Sequence, residues 1–338
     1  MTLVCTNLWK VYGNRSKLPI DTSAPVDETV ARFRSAGDFV ALADINLSVA
    51  KGETLVVMGL SGSGKSTLLR CLTRLIEPTA GTLSFDGMNL SEMSRAQLLA
   101  LRRRHMSMVF QHFALLPHRT VCGNVELPLE IQGVPAAERR KAAMEMIRLV
   151  GLADKENHYP SELSGGQQQR VGIARSLCTH PTLWLLDEPF SALDPLIRRE
   201  MQDELIRLQK TFSKTAIFVT HDFEEAARIG DRIALLRQGQ LVQYGTAAEL
   251  VLNPANDYVR AFTANAERSR IVTAERFMEH GPLPSYELEL PATVTLYEIS
   301  KAFSQGSRTI AFRDAEGDLI GFMRRQNLGE ALATATMM

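Results

Sequence analysis

The chain has 338 residues, 45% of them hydrophobic and 22% charged, and its 38 Lys and Arg balance 38 Asp and Glu to a formal net charge of zero. Such a length fits one large domain with a smaller appendage, the composition excludes a disordered chain, and charge neutrality removes the field that gathers nucleic acid or anionic membrane. Apolar runs such as 183–186 and 216–219 are far shorter than the roughly 20 residues a membrane-crossing helix needs, so the chain is not expected to span a bilayer by itself. The first residues, Met1-Thr2-Leu3-Val4-Cys5, carry no basic segment followed by an apolar stretch, and secretion is not expected. Cys5, Cys71, Cys122 and Cys178 are scattered with no C-x-x-C pair, which favours reduced core thiols and a cytoplasmic location over a zinc site or a disulfide framework.

In chain order, residues 3–12 alternate apolar and polar and then meet Gly13, the pattern of a strand ending in a turn. Residues 14–39 contain Pro19 and Pro25 and read as an insertion with a short helix near 28–34, before a strand resumes near Val40. A β-rich run at 53–58 enters a Gly/Ser loop, and 66–75 then has helical apolar spacing. Residues 113–163 show helical periodicity at 136–150 and no long strand, which predicts a helical subdomain. Strand and helix alternate again through 183–186, 201–209, 216–219 and 233–236, as a mostly parallel, doubly wound α/β sheet requires. Asn253-Pro254-Ala255-Asn256 marks a break, and the expected domains are 1–268 and 269–338. In the second, Thr295 and Glu298 form a capping box that opens a helix, followed by a strand at 309–312, a turn through Glu316-Gly317, a strand at 319–323 and a helix at 325–333.

Gly59-Leu60-Ser61-Gly62-Ser63-Gly64-Lys65-Ser66-Thr67 fits the phosphate-loop pattern G-x-x-x-x-G-K-[ST] between a predicted strand and a predicted helix. Glycines let the backbone curl so that successive N–H groups point at phosphate oxygens, and the positive end of the following helix adds attraction. In this pattern Lys65 reaches the β- and γ-phosphates, Ser66 supplies a hydroxyl to Mg²⁺ and Thr67 bonds a neighbouring phosphate. Leu183-Trp184-Leu185-Leu186-Asp187-Glu188 is an apolar strand ending in two carboxylates, at the sheet edge where α/β proteins place ligands. Asp187 suits the Mg²⁺ shell through water, and Glu188 suits the base for a water attacking the γ-phosphate. By itself the acidic pair reads equally well as a helix cap.

Leu163-Ser164-Gly165-Gly166-Gln167 alone reads as an ordinary Ser/Gly turn, but in this order with the other motifs it resembles the signature sequence of the ABC ATPases. In that family the signature lies at a helix N-terminus and binds the γ-phosphate of ATP held by the opposite subunit. The resemblance implies a P-loop NTPase core with a RecA-like sheet, an antiparallel β subdomain and a helical subdomain. It further implies that Tyr12 stacks on adenine and that Gln111 links the Mg²⁺ and water site to the helical subdomain. Ser191-Ala192-Leu193-Asp194 resembles the loop by which each subunit senses the other's site, and His221 resembles the switch histidine that contacts the γ-phosphate. Taken singly, Tyr12 reads as a packing residue and His221 as a strand-end histidine.

ATP contacts are therefore expected from Tyr12, Gly59, Leu60, Ser61, Gly62, Ser63, Gly64, Lys65, Ser66, Thr67 and Gln111, with Ser164, Gly165, Gly166 and Gln167 acting from the partner subunit. Mg²⁺ is expected on Ser66, Gln111 and, through water, Asp187; Glu188 and His221 are the expected catalytic pair.

The resemblance narrows to the ATPases of proline/glycine betaine and quaternary-amine importers, over roughly 3–264. It is carried by the phosphate loop, by Arg74-Leu75-Ile76-Glu77-Pro78-Thr79, by Ala192-Leu193-Asp194-Pro195-Leu196-Ile197-Arg198 and by Asn253-Pro254-Ala255-Asn256-Asp257-Tyr258-Val259-Arg260. This implies a homodimer on the cytoplasmic face of the cell membrane, working with integral-membrane permease subunits and an external binding protein, with no nucleic-acid partner. The implied solutes are glycine betaine, choline, trimethylamine oxide or proline, with another small polar solute such as histidine as the alternative and a soluble ABC ATPase as the rival class. The tail resembles one CBS motif, a small α+β module that normally works in pairs.

Overall fold

The computed structural model describes residues 2–14, 20–21, 24–111 and 113–337. These form two compact units, 1–245 and 246–338. The division falls before the boundary expected after 268, because Leu252 already packs against the core of the second unit, around Val272, Leu296 and Phe303.

In the first unit β1 (Leu3–Tyr12) is followed by α1 (Val26–Ser35), β2 (Phe39–Val49), β3 (Thr54–Met58), α2 (Lys65–Leu72), β4 (Ala80–Phe85) and β5 (Met88–Asn89). The strands β2-β1-β4-β5 make an antiparallel sheet in that order. The insertion is not loop alone. Its helix α1 starts after Pro25, whose fixed φ suits a helix entry, and puts Val30 and Phe33 in a small core with Trp9, Val11 and Val40. Residues 15–19, 22 and 23 of the insertion lie outside the described residues.

Next come α3 (Arg95–His105), β6 (Met106–Val109), α4 (Val121–Ile131), α5 (Ala136–Leu149) and α6 (Gly165–Leu177). The last three pack on one another as the expected helical subdomain, which reaches past 163 to include α6. Its entry is held by Asn124, wholly buried, whose amide takes the Leu116 N–H at 2.7 Å and donates to the Leu116, Arg119 and Thr120 carbonyls.

The unit closes with β7 (Leu183–Asp187), α7 (Pro195–Phe212), β8 (Thr215–Thr220), α8 (Phe223–Ile229), β9 (Arg232–Arg237) and β10 (Gln240–Gly245). The main sheet has the order β10-β9-β3-β8-β7-β6, parallel except for β10. Every residue of β3, β7 and β8 is buried, as near-continuous apolar runs covered on both faces must be. The C-terminal ends of these three central strands lead into the phosphate loop, the acidic pair and His221, the edge where open α/β sheets bind ligands.

The second unit contains α9 (Ala247–Leu252), α10 (Asp257–Thr263), β11 (Leu288–Pro291), α11 (Leu296–Ser304), β12 (Thr309–Arg313), β13 (Leu319–Arg324) and α12 (Leu328–Met337). The Thr295–Glu298 capping box is formed, and β11, parallel to β12, adds a strand that the sequence reading did not anticipate. All four cysteines are buried and free; burial pushes the thiols of Cys5, Cys71 and Cys178 up to about 12, so they stay protonated and inert.

Candidate active site

The phosphate loop, 59–67, joins β3 to α2 by a curl that only glycine supplies cheaply. Gly59, Gly62 and Gly64 have φ of 151°, 77° and 103°. A Cβ on Gly59 would lie 2.4 Å from the Leu236 carbonyl oxygen, and one on Gly64 would lie 2.7 Å from that of Ala41. Gly64 is the N-cap of α2 and offers no side-chain cap, so the N–H groups of Lys65, Ser66 and Thr67 enter the helix without an intrahelical acceptor. Ser63 is buried with its hydroxyl unpartnered. A cluster of uncommitted donors at the positive end of a helix is what a phosphate chain satisfies. Leu60 and Ser61 lie at the exposed crest of the loop.

Lys65 is 5% exposed, and its ammonium donates to the Gly59 and Leu60 carbonyls at 2.9 and 3.2 Å. It also lies 3.4 Å from Glu188 Oε1, while Glu188 Oε2 lies 3.5 Å from His221 Nδ1. One carboxylate thus bridges the phosphate loop and the histidine that follows β8. Glu188 adopts φ 44°, a left-handed backbone unusual outside glycine, held by its N–H to the Val219 carbonyl at 3.1 Å and by the Ser191 hydroxyl to its own carbonyl at 3.0 Å. Such strain persists where the surroundings over-determine it, and functional sites are where it collects.

Asp187 accepts the Ser66 hydroxyl at 2.9 Å. Burial pushes its carboxyl above the usual range, and the Ser66 bond pulls it back. A hydroxyl and a buried carboxylate side by side suit Mg²⁺, a hard cation that takes one or two protein oxygens and completes its shell with water and phosphate. Among the described residues no cluster of three or more His, Cys, Asp or Glu forms an all-protein metal cage. Gln111 sits exposed in the turn two residues after β6.

Ser164 is the N-cap of α6 and makes a full capping box with Gln167: the Gln167 N–H donates to Ser164 Oγ at 3.3 Å, and the Ser164 N–H to Gln167 Oε1 at 3.0 Å. Ser164 and Gly165 are exposed. No hydrogen bond or ion pair among the described residues joins this segment to the phosphate loop of the same chain. It packs instead beside the 191–194 loop and α7: a Cβ on Gly165 would meet Leu193 Cδ2 at 3.7 Å and one on Gly166 would meet Ile197 Cγ2 at 2.7 Å. Tyr12 is 40% exposed and stacks on exposed Phe39 with centroids 6.5 Å apart, an aromatic shelf with Lys10 Nζ 4.7 Å from the Tyr12 ring centre.

Three residues outside the sequence-based assignment, Glu225, Thr220 and Arg198, line a small chamber with Glu188 and His221. Glu225 is buried, and burial raises its carboxyl, against hydrogen bonds from Thr220 and Gln202. Arg198 completes the group, donating to the Leu193 carbonyl at 3.1 Å.

Residues 42–191 match the family model described as ABC transporter. The trimethylamine N-oxide transport system ATP-binding protein of Ruegeria pomeroyi is 46% identical over 330 residues, 98% of this chain and 96% of that protein. The glycine betaine/proline betaine transport system ATP-binding protein of Escherichia coli is 45% identical over 279 residues, 82% of this chain and 69% of that one. A dimeric ATP-binding cassette solved in a post-hydrolysis state with ADP and Pi superposes with a TM-score of 0.60 at 34% identity, covering 72% of this chain and 98% of that one. With a phosphate loop, an acidic strand end and a capped signature helix all formed on an ABC ATPase fold, the chain belongs to the proline/glycine betaine (quaternary amine) importer family of ABC transporter ATP-binding subunits, ATPases whose hydrolysis is coupled to transport.

Proposed function

We propose that two copies of this chain close around two ATP molecules beneath a membrane permease, each nucleotide held between the phosphate loop of one copy and the 164–167 segment of the other. The observation that carries the hydrolytic reading is the Glu188 carboxylate held between Lys65 and His221. Glu188 accepts the proton of a water attacking the γ-phosphate, His221 orients that phosphate and Glu188 together, and Lys65 with the first-turn N–H groups of α2 neutralises charge on the transferring oxygens. Mg²⁺ would be held by Ser66, Gln111 and, through water, Asp187, and would supply further charge neutralisation on the phosphates. Tyr12 offers its ring face to adenine. The two-copy arrangement is supported by the exposed donors at the α6 N-terminus, which engage no group of their own phosphate loop.

The test is Glu188→Gln, which keeps shape and removes the base. ATP binding is expected to persist while turnover in the assembled transporter falls roughly 100-fold or more, the usual contribution of a general base. Retention of most activity would remove Glu188 from that role.

The permease partner is supported by a groove of about 360 Å³ between β6 and the helical subdomain, where Met108, Phe110, Leu127 and Ile131 present apolar surface beside Arg102 and Arg175. A peripheral position on the cytoplasmic face is what we infer from relatives named as transport ATP-binding proteins; among the described residues no helix is long and apolar enough to cross a membrane. The solute class we infer is a quaternary amine or betaine-type osmolyte, on the strength of relatives named for trimethylamine N-oxide and glycine betaine transport. Solute-stimulated ATPase activity of the reassembled transporter against a panel of betaines, choline, trimethylamine N-oxide, proline and histidine tests it.

A further inference from the structure

Glu225 is a carboxylate only 7% exposed in the first turn of α8. At the third position of a helix, a glutamate ordinarily reaches back to the N-cap backbone and stays in water. Here the N-cap Asp222 N–H goes to Thr220 Oγ1 at 3.1 Å instead. Glu225 turns inward, accepting from Gln202 Nε2 at 3.0 Å and lining a small chamber together with Thr220. Burying a carboxylate is costly unless it is paired, and an uncharged side chain of similar size would avoid that cost. The charge therefore calls for a use.

The groups around it belong to the reaction. Thr220 ends β8 and directly precedes His221, so a hydroxyl that accepts the Asp222 N–H beside Glu225 sets the path of the backbone that carries the imidazole. Arg198 lies one turn before Gln202 on α7; it grips the Leu193 carbonyl through Nη2, its charge attracts Glu225, and its Nε is buried without a partner. Glu188, His221, Arg198 and Glu225 line one chamber of about 10 Å³, room for a single water at most. The 191–194 loop and the His221 loop thus border one chamber that also holds a buried carboxylate.

We propose that Glu225 is a positioning residue for hydrolysis: acting through Arg198 and Thr220, it couples the conformation of the 191–194 loop to the placement of His221 beside Glu188. The inference rests on the roles assigned above to Glu188, His221 and the subunit-facing 191–194 loop. Closure of a second copy on that loop then fixes the hydrolytic geometry rather than merely trapping nucleotide.

The experiment is steady-state ATP hydrolysis by the transporter reassembled with its membrane and binding-protein partners, for Glu225→Gln, Arg198→Gln, the double variant and Thr220→Val. Each single variant should lower kcat by about 10- to 100-fold, as loss of a supporting partner does elsewhere, with KM for ATP unchanged. The double variant should be no slower than the slower single one, because both break the same unit. Thr220→Val deletes only the hydroxyl at constant volume, and it decides the matter if Glu225→Gln does not fold. A kcat within about twofold of wild type for folded Glu225→Gln or for Thr220→Val, multiplying losses in the double variant, or a rise in KM alone would each overturn the proposal. His221→Ala separates the two levels: wild-type turnover there would sink the parent assignment, whereas an inactive His221→Ala beside an active Glu225→Gln sinks this inference alone.

Discussion

In the phosphate loop some glycines are required by lack of room and others by dihedral alone. Gly62 has φ 77° and open space where a Cβ would go, whereas Gly64 combines φ 103° with a carbonyl oxygen 2.7 Å from the Cβ position. Gly62→Ala is therefore expected to cost no more than about 1–2 kcal/mol, the left-handed penalty by itself, and to retain ATP binding. Gly64→Ala must also push β2 or the loop aside, and is expected to cost more and to abolish binding. Denaturant unfolding and nucleotide titration of the two variants check this; equal costs would show that the close approach to Ala41 carries no weight. Lys65, Ser66, Asp187 and Glu188 were legible in the sequence from a specific chemistry at a strand end, and His221 only through the family resemblance. Glu225, Arg198, Gln202 and Thr220 were not, because their meeting depends on how the consecutive elements α7, β8 and α8 fold against one another, and the 198/202 spacing is that of any helix face.

At the level of elements, α6 shows how a helix end serves two purposes. Ser164 closes the capping box, and the same exposed end is where the proposed function places the phosphate of the other copy's nucleotide. Ser164→Asp separates them, since aspartate caps about as well as serine but places a negative charge where phosphate would sit. In a Glu188→Gln background it is expected to leave circular dichroism unchanged and to eliminate ATP-dependent dimerisation by sedimentation. Dimerisation that survives would deny the segment its place at the nucleotide.

The strands around this helix were unevenly legible. The fully buried β3, β7 and β8 announced themselves as apolar runs. In contrast, β6 has four residues, two of them half-buried, and β10 is half-buried along nearly its whole length, so neither gave a run or a clean alternation. The helix α3 gives little periodic signal because Arg102, Arg103, Arg104 and His105 blur its apolar face, although Ser94 and Gln97 spell its capping box.

For the molecule as a whole, the chain divides into two compact units between Gly245 and Thr246. Composition marked a break at 253–256, but composition does not reveal which core Leu252 joins. A chain ending at Gly245 is expected to bind ATP as the full chain does, while one ending at 268 leaves Leu252 without its core around Val272 and Phe303 and is expected to aggregate. Nucleotide titration with light scattering distinguishes them, and a soluble 1–268 chain beside an aggregating 1–245 chain would reverse the boundary.

The central claim is that each nucleotide is gripped by two copies, and mixing tests it. Lys65→Ala and Ser164→Asp should each be inactive as purified transporters. When the two variant subunits are assembled together, a mixed dimer carries one site built from an intact phosphate loop and an intact 164–167 segment. Hydrolysis is predicted to return, up to roughly a quarter of the wild-type rate if half the dimers are mixed and one of two symmetric sites is whole. Verified mixed dimers that remain as inactive as either parent would contradict the account.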